Sequence, residues 1–310
     1  MPDNPAPRCA ILLSTYNGAA YLAPFLDSLL AQSEPGWVLF WRDDGSRDAT
    51  VALMTGWGQA HPDRLRAVSD PAGNLGVMGS FMALLRAAEA AAMPVVFFAD
   101  QDDVWLSEKI ALALSLLAEV PMGQPALYCA RQRLVDQDLR EIGLSASLAG
   151  PAGFPACLTQ NIATGCTVAL NRPAITLLAA SRPPSGGWHD WWCYLLVSAA
   201  GGRILRDERA VILYRQHAAN VVGAPRSPIR RALAALRRGP QEFMSVFRKN
   251  VAALEDNGDV LAQPARTQLA RIARGLSDGP MQRLNALATP GFQRNSTIQT
   301  LLFRLWFLIG

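Results

Sequence analysis

The stretch V-V-F-F-A-D-Q-D-D-V-W at residues 95–105 indicates the fold of this chain of 310 residues. It opens with an apolar run of β-branched and aromatic residues, which is typical of a buried strand. Three carboxylates follow directly, at Asp100, Asp102 and Asp103. In open α/β sheets, ligands bind at the edge where the strands end. The stretch therefore predicts a ligand site at the carboxyl end of a buried strand.

Carboxylates this close in sequence repel one another. They persist as anions only if a cation lies between them or if one of them is protonated. Mg²⁺ and Mn²⁺ prefer oxygen ligands, so a divalent cation at these acids is the first interpretation. On this stretch alone, an acidic and solvated turn without a ligand is the alternative.

Strands and helices alternate through the first part of the chain. Apolar runs predict strands at 9–13, 38–41, 65–69, 95–99 and 126–130. Helical spacing predicts helices at 20–30, at 46–57 with Ser46 as N-cap, at 81–92, and at 108–118 with Ser107 as N-cap. This order predicts an α/β fold with a Rossmann-like, mostly parallel sheet flanked by helices. Right-handed crossovers would then bring the strand ends to one edge.

The pattern is less regular after residue 130. A loop at 140–160 precedes a strand at 167–170, a helix at 172–181, a connector at 183–187, a helix to about residue 200 and a strand at 211–214. From residue 225 the pattern is helical, with breaks expected at Gly239-Pro240, Gly258, Gly279-Pro280 and Pro290. We therefore predict an α/β domain at 1–223 and a basic, mostly helical C-terminal extension at 224–310.

The composition fits one or two globular domains, since 50% of the residues are hydrophobic and 17% are charged. The N-terminus has no apolar signal-like run, and no stretch holds the ~20 apolar residues that span a bilayer. Five dispersed cysteines favour free, buried thiols in a reducing cytoplasm. The expected location is therefore cytoplasmic.

The net charge of +4 hides an asymmetry between the two parts. Residues 1–200 carry 12 Lys+Arg and 18 Asp+Glu, whereas residues 201–310 carry 17 and 7. The sequence has no nucleic-acid-binding signature, so an anionic surface on the inner face of the plasma membrane is the expected partner of the basic part. Its basic residues cluster at Arg226, Arg230, Arg231, Arg237 and Arg238.

The last segment, 298–309, is apolar around Arg304 and too short to span a bilayer, so it is a candidate interfacial helix. The alternative is an ordinary core helix packed on the α/β domain.

Three of the predicted strands end in polar turns, at Thr15-Tyr16-Asn17, at Asp43-Asp44 and at the acidic stretch. An aromatic ring beside carboxylates can stack on a nucleotide base while the acids bind base and ribose. The phosphate loops G-x-x-x-x-G-K-[ST] and G-x-G-x-x-G are absent from the sequence. We therefore expect a nucleotide whose phosphates are neutralised by a metal ion. Alternatively, Tyr16 is only a turn aromatic.

Several motifs together resemble family 2 glycosyltransferases of GT-A fold, and in particular the rhamnosyltransferase-like branch that builds bacterial surface polysaccharides. The motifs are S-T-Y-N-G at 14–18, D-D-G-S at 43–46, N-L-G at 74–76, D-Q-D-D-V-W at 100–105, T-G-C at 164–166, H-D-W-W at 189–192 and Y-R-Q-H-x-x-N-V-V-G at 214–223. The resemblance covers about residues 8–223. It implies an inverting, metal-assisted sugar transfer from a nucleotide-sugar to an acceptor hydroxyl. dTDP-L-rhamnose is the first candidate donor and a UDP-hexose the second.

The resemblance implies roles for particular residues, with Asp190 as general base and Asp102 as metal ligand. His217, beside Arg215 after a strand, is a second candidate ligand, or else a surface histidine. The expected nucleotide contacts are Thr15, Tyr16, Asn17, Asp43, Asp44, Asn74 and Asp100. The expected contacts to the donor sugar or to a glycan or lipid-linked glycan acceptor are Asp103, Trp105, Thr164, Gly165, Trp188, His189 and Arg215.

Other interpretations stay open at this point. A phosphohydrolase with a D-x-D nucleophile would need a lysine at the site, and the chain has only Lys109 and Lys249. A non-catalytic binding module would need no base at position 190, and Asp190 could instead be a helix N-cap, worth about 1 kcal/mol. We expect Trp192 and Tyr194 to pack in the core.

Overall fold

The computed structural model describes the backbone of residues 7–69, 73–216 and 228–310, and the side chains of these ranges except 228–240. The strands are β1 Cys9–Thr15, β2 Trp37–Asp43, β3 Leu65–Ala67, β4 Val95–Ala99, β5 Val104–Trp105, β6 Ala126–Val135, β7 Glu141–Leu144, β8 Ala169–Asn171 and β9 Arg203–Arg215. The helices are α1 Leu22–Leu30, α2 Thr50–Ala60, α3 Gly76–Ala90, α4 Lys109–Ala118, α5 Arg172–Ala179, α6 His189–Ala199, α7 Pro228–Asp256, α8 Gln263–Ser277, α9 Pro280–Leu287 and α10 Thr297–Ile309.

The nine strands in the described part of the chain form one sheet in the order β3-β2-β1-β4-β8-β6-β9-β5, with β7 paired to β6. The part β3-β2-β1-β4 is parallel, as the alternating strands and helices predicted. The rest is mixed, because β8 runs antiparallel to both β4 and β6. The predicted α/β fold with helices on both faces of the sheet is confirmed.

The alternating side chains of β1 separate the core into two layers. Ala10 and Leu12 contribute to the layer beneath α3, α5 and α6, whereas Ile11 and Leu13 contribute to the layer beneath α1 and α4. The first layer continues into the C-terminal helices through an aromatic cluster of Phe247, Phe292, Phe303 and Phe307. The C-terminal helices are thus packed against the sheet domain.

Several local expectations are corrected. Ser46 does not cap α2, which begins at Thr50, and Glu108, not Ser107, precedes α4. Strand β7 and a short 3-10 turn lie within the expected loop at 140–160. Helix α7 continues through Gly239-Pro240, although the expected break at Gly279-Pro280 separates α8 from α9.

The five cysteines are buried and free, as expected. Within the described residues, none of the helices combines the length and the apolar character needed to cross a membrane. The division between the two expected domains at residue 223 and the arginines at 226–238 lie outside the described side chains.

Candidate active site

The sheet brings the three polar turns together at one edge. Thr15 at the end of β1 pairs with Asp43 at the end of β2, and Leu13 pairs with Ala99 at the end of β4. The turns that follow these strands therefore start side by side. Strand β8 runs in the opposite direction, so the turn before it, Gly165–Thr167, also reaches this edge.

Tyr16 is held by its backbone while its ring is left open. The Gln101 side chain accepts a hydrogen bond from the Tyr16 N–H and donates one to the Tyr16 carbonyl, both at 3.0 Å. The Tyr16 side chain is 50% exposed. A ring presented in this way is available for stacking on a flat ligand.

Thr15 and Asn17 both hydrogen-bond to the turn after β2, Thr15 from a buried position and Asn17 from an exposed one. The buried Thr15 hydroxyl donates to Asp43 at 2.9 Å and accepts from the Trp41 indole N–H at 2.9 Å. The Asn17 N–H donates to Ser46 Oγ, and the Asn17 amide oxygen accepts from the Arg47 N–H, both at 2.8 Å. Direct nucleotide contacts by these two side chains stay predictions, while Thr15 contacts Asp43 and Asn17 contacts Ser46 and Arg47.

Asp44 forms a buried ion pair with Arg42, at 2.6 Å. Its carboxylate also accepts hydrogen bonds from the N–H groups of Leu75 and Gly76. Although burial opposes ionisation, these bonds and the Arg42 guanidinium keep the pKa of Asp44 below its usual value. Asn74 completes the link by donating to the Asp44 carbonyl at 2.8 Å. Asp44 thus fixes the turn at 73–76, and its contact with a base stays a prediction.

Asp100, Asp103 and the Cys166 thiol form a cluster whose ligand atoms lie within 4.8 Å of one another. Burial and the negative charges of Asp102 and Asp190 raise the pKa of Asp100 to about 7, against the influence of Lys109. Burial and the charges of Asp102 and Asp100 raise the pKa of Asp103 well above its usual range.

Asp103 Oδ2 is buried without a hydrogen-bond partner. A divalent cation would relieve both the repulsion and this unpaired oxygen, so the two carboxylates fit the predicted Mg²⁺ or Mn²⁺, whereas the Cys166 thiol is not a ligand that these ions prefer. The described cluster contains Asp100 and Asp103 with Cys166, whereas Asp102 lies beside it.

Trp105 lies in the core and not at the site. Its side chain is 3% exposed and packs against Phe25 and Phe97. The Lys109 ammonium lies 3.2 Å from the centre of the Trp105 ring and donates to the Cys166 carbonyl at 2.6 Å. The strand β5 thus turns the Trp105 ring inward, and its contact with a sugar stays a prediction.

Arg215, at the end of β9, is buried against the acidic turn. Its Nε donates to the Asp102 carbonyl at 3.0 Å, and its backbone N–H donates to Asp103 at 3.3 Å. Its guanidinium lies 5.2 Å from the ring of Tyr21. These contacts orient the acidic turn, and a sugar contact by Arg215 stays a prediction. His217 lies outside the described residues.

Asp190 lies in the first turn of α6, directly beside the acidic cluster. Its carboxylate accepts hydrogen bonds from the Gly165 N–H at 3.0 Å and from the Trp191 N–H at 2.6 Å. Burial raises the pKa of Asp190 to about 6, although these bonds favour the anion. The residue that precedes α6 is Trp188, so Asp190 is not its N-cap. A carboxylate with this pKa can accept a proton at neutral pH.

His189 is buried and packs within the core. Its ring stacks on Phe81 with centroids 3.9 Å apart and meets Phe98 edge-on, and neither ring nitrogen has a hydrogen-bond partner. Its Nε2 lies beside Gly165, 2.8 Å from the position that a Cβ on this glycine would take, and its contact with a sugar stays a prediction. Trp188 is 38% exposed, so its predicted acceptor contact, like that of Thr164, stays a prediction. Trp192 and Tyr194 are buried, as predicted.

The structure adds three residues to the site that the sequence did not assign: Gln101, Lys109 and Cys166. Gln101 lies inside the acidic motif and Cys166 inside T-G-C, so both were present in quoted motifs without a role. Lys109 had a weaker signal, because it is the single charged residue of helix α4. Gln101 joins the acidic turn to Tyr16, Cys166 lies in the cluster with Asp100 and Asp103, and Lys109 donates to the Cys166 carbonyl.

Comparisons with known proteins agree with this geometry. Residues 10–142 match the sequence model described as glycosyl transferase family 2. The chain is 24% identical over 226 residues to the dTDP-rhamnosyl transferase RfbG of Shigella flexneri, which covers 68% of this chain and 74% of that protein. It is also 33% identical over 103 residues to an uncharacterized glycosyltransferase of Nostoc sp., covering 33% of this chain and 30% of that protein.

Solved glycosyltransferases share the fold. Staphylococcus aureus TarS 1–349 in complex with UDP-GlcNAc has a TM-score of 0.58 at 15% identity, covering 90% of this chain and 78% of that one. The mannosyltransferase PcManGT of Pyrobaculum calidifontis, in complex with GDP-Man and Mn²⁺, has a TM-score of 0.51 at 20% identity, covering 98% and 88%. These likenesses show that the chain shares their fold. The chain has a GT-A fold, its residues 10–142 match glycosyl transferase family 2, and it is similar to a dTDP-rhamnosyl transferase.

Proposed function

We propose that this glycosyltransferase moves a sugar from a nucleotide-sugar to an acceptor hydroxyl, with inversion at the anomeric carbon. dTDP-L-rhamnose is the first candidate donor, because a relative from Shigella flexneri is described as a dTDP-rhamnosyl transferase. A UDP-hexose is the second, since one structural neighbour holds UDP-GlcNAc. The acceptor is a glycan or lipid-linked glycan in bacterial surface polysaccharide synthesis. Residues 1–223 form the catalytic domain.

The observation that carries the proposal is the carboxylate of Asp190 beside the acidic cluster. An acceptor hydroxyl is a weak nucleophile at neutral pH, so a positioned base must take its proton. The Gly165 N–H holds one oxygen of Asp190 and so fixes the direction of the carboxylate. Its pKa of about 6 leaves it ionised at neutral pH but still basic.

The proposed reaction is a single displacement. The acceptor oxygen forms a bond to the anomeric carbon while the bond from that carbon to the diphosphate oxygen breaks. Asp190 takes the hydroxyl proton, and the nucleoside diphosphate leaves with the bonding electron pair. Attack opposite to the leaving group inverts the anomeric configuration.

The polar turns supply the proposed donor contacts. The exposed Tyr16 ring stacks on the base, and Asp43 and Asp100 bind the nucleoside. A divalent cation, Mg²⁺ or Mn²⁺, would supply charge that neutralises the diphosphate. Asp102 is its proposed first ligand, beside the carboxylates of the cluster. A structural neighbour that contains Mn²⁺ with GDP-Man supports a cation here.

The phosphohydrolase is disfavoured by the environment of Lys109. Its ammonium is buried, donates to the Cys166 carbonyl and faces the Trp105 ring. A lysine held in this way has no open path to a substrate phosphate. A binding module without catalysis would not need Asp190 beside the cluster.

A screen of nucleotide-sugars by thermal shift with Mn²⁺ identifies the donor. At a hundred times its dissociation constant, a bound donor adds about 2.7 kcal/mol to the free energy of unfolding. With that donor, Asp190→Asn is expected to lower kcat by about 10²-fold or more while the donor affinity holds. NMR of the product reads the anomeric configuration. Near-complete activity of Asp190→Asn, or retained configuration, contradicts the proposal.

A further inference from the structure

Helix α10 has two opposite faces with different surroundings. Phe303, Trp306 and Phe307 are buried and pack against Phe243 and Phe247 of α7. The other face carries apolar side chains that have no cover in the described part of the chain. We call this face the outer stripe, and its members are Ile298, Leu301, Leu305, Leu308 and Ile309.

The outer stripe is contiguous along the helix. Its members recur at intervals of three and four residues, the spacing that brings side chains onto one face. Leu301 is 60% exposed and Leu305 is 52% exposed. Exposed single leucines are ordinary on a protein surface, but a continuous apolar helix face indicates a binding surface.

The surroundings of the outer stripe are cationic. Residues 279–310 contain Arg283, Arg294 and Arg304 and no Asp or Glu. Arg283 donates to the Leu308 carbonyl at 2.6 Å, so it lies at the C-terminal end of the stripe. Arg304 is exposed at the edge of the stripe. No acidic side chain from the same segment neutralises them.

A cavity of about 380 Å³ opens beside the first turns of α10. Arg294 and Arg304 line it together with Ser296, Thr300 and Leu301, and its described lining has no acid. The Arg294 Nε is buried without a hydrogen-bond partner. Two guanidinium groups and two hydroxyls beside an apolar residue match the phosphate and acyl boundary of a lipid.

We propose that the outer stripe and its arginines form a surface that lies on an anionic lipid bilayer. The stripe enters the boundary between headgroups and acyl chains, as amphipathic helices do, while the arginines meet lipid phosphates. The buried face of α10 keeps the helix parallel to the surface, so the helix lies on the bilayer and does not cross it.

A second copy of this chain is the competing occupant. Two copies joined through this surface would bring arginine-bearing segments without acids against each other, and like charges at an interface are unfavourable. A bilayer of anionic lipids instead provides the opposite charge. The charge pattern therefore favours the bilayer.

The test is co-sedimentation of the full chain with vesicles, without any sugar donor. Its outcome is thus independent of the proposed glycosyl transfer. We expect binding to vesicles of phosphatidylglycerol and phosphatidylcholine in equal parts and none to phosphatidylcholine alone. Binding should weaken in about 1 M salt, where the screening length is about 3 Å.

Variants separate the apolar from the charged contribution. Leu301→Gln with Leu305→Gln is expected to raise the apparent dissociation constant at least about tenfold, because two leucines no longer enter the bilayer. Arg304→Gln is expected to raise it about fivefold. Leu53→Gln, on the exposed face of α2, is the matched control and should bind like the wild type. All four are exposed, so an unchanged melting temperature verifies folding.

Three results would overturn the proposal. The first is a wild-type chain that stays in the supernatant with anionic vesicles at low salt, and the second is a double variant that binds as well as the wild type. The third is a dimer in sedimentation velocity that Leu301→Gln with Leu305→Gln dissociates, since this would assign the outer stripe to a second copy.

Discussion

Gln101 holds the backbone of Tyr16 with both ends of its side-chain amide. Its oxygen accepts from the Tyr16 N–H and its nitrogen donates to the Tyr16 carbonyl, each at 3.0 Å. This pair joins the turn after β1 to the acidic turn after β4. The exposed ring that we propose for base stacking is therefore positioned by a residue of the proposed metal-binding turn.

This relationship predicts that Gln101→Ala weakens donor binding without touching the donor. Two hydrogen bonds of about 1 kcal/mol each are lost, so the donor KM should rise on the order of tenfold. A side chain at Gly18 would lie 2.1 Å from Gln101 Oε1, so Gly18→Ala should displace the same amide. Steady-state kinetics of both single variants and the double variant measure the coupling.

The double variant should bind donor no worse than Gln101→Ala, because each change breaks the same contact. Gly56→Ala is the matched control, since a Cβ there meets open space on α2. Additive effects of the two changes would contradict the link between Gln101 and Tyr16.

The raised pKa of Asp190 predicts a pH profile. A general base acts only when ionised, so kcat should be low below pH 6 and rise as pH increases through about 6. Initial rates at saturating donor, from pH 5 to pH 8, would trace this limb. An acidic limb that falls at the ordinary pKa of an aspartate, about 3.9, would contradict the assignment.

The buried His189 predicts a loss of stability in acid. Burial lowers its pKa to about 3 in the folded chain, against about 6.5 in the unfolded chain. The unfolded chain therefore binds more protons between these values, and stability falls as pH decreases below about 6.5. From pH 7.5 to pH 5.0 this single group should lower the free energy of unfolding by about 2 kcal/mol.

Urea unfolding at both pH values measures this loss. His189→Gln should be less stable than the wild type at pH 7.5, since it loses the stacking on Phe81. It should not show the additional loss of unfolding free energy that His189 causes between pH 7.5 and pH 5.0. His61→Gln removes a partly exposed histidine, and this variant should keep the acid dependence of the wild type. An identical acid dependence in His189→Gln and the wild type would exclude a buried, neutral imidazole.

The sequence predicted the part of the fold that local patterns specify. Apolar runs and helical spacing identified β1 to β4 and the helices between them, because each of these segments is buried on a simple period. The antiparallel direction of β8 and the length of β9 depend on partners far away in the chain. Charged residues interrupt the apolar pattern of β9, so the sequence predicted only the C-terminal end of this strand.

The candidate site could likewise be predicted from the sequence only in part. The positions of the carboxylates followed from where strands end, but which side chains face the site did not. Trp105 and His189 belong to quoted motifs and yet pack in the core, since their helix or strand turns them inward. Thr15 and Asp44 lie at the site but bind other protein groups. Sequence spacing thus predicts which residues lie near the site, whereas the packing of the fold determines which way their side chains point.

The acidic turn predicts a metal dependence that Asp102 should control. Asp102→Asn removes one negative charge from a turn where Asp100 and Asp103 are buried together. Because the cation shares its ligands between protein and donor phosphates, this change should abolish the tightening of nucleotide binding by Mn²⁺ and lower turnover by about 10²-fold or more. Isothermal titration of the nucleoside diphosphate, with Mn²⁺ and with excess EDTA, measures the first effect.

Removing a charge from this repulsive turn should leave the fold intact or stabilise it, because like charges in contact are unfavourable. Asp63→Asn, on an exposed loop away from the sheet edge, is the matched control and should keep both activity and metal dependence. If Asp102→Asn instead retains a Mn²⁺-dependent affinity while Asp103→Asn loses it, the cation is held by the cluster of Asp100, Asp103 and Cys166. Full activity of the wild type in EDTA would exclude a metal-dependent transfer altogether.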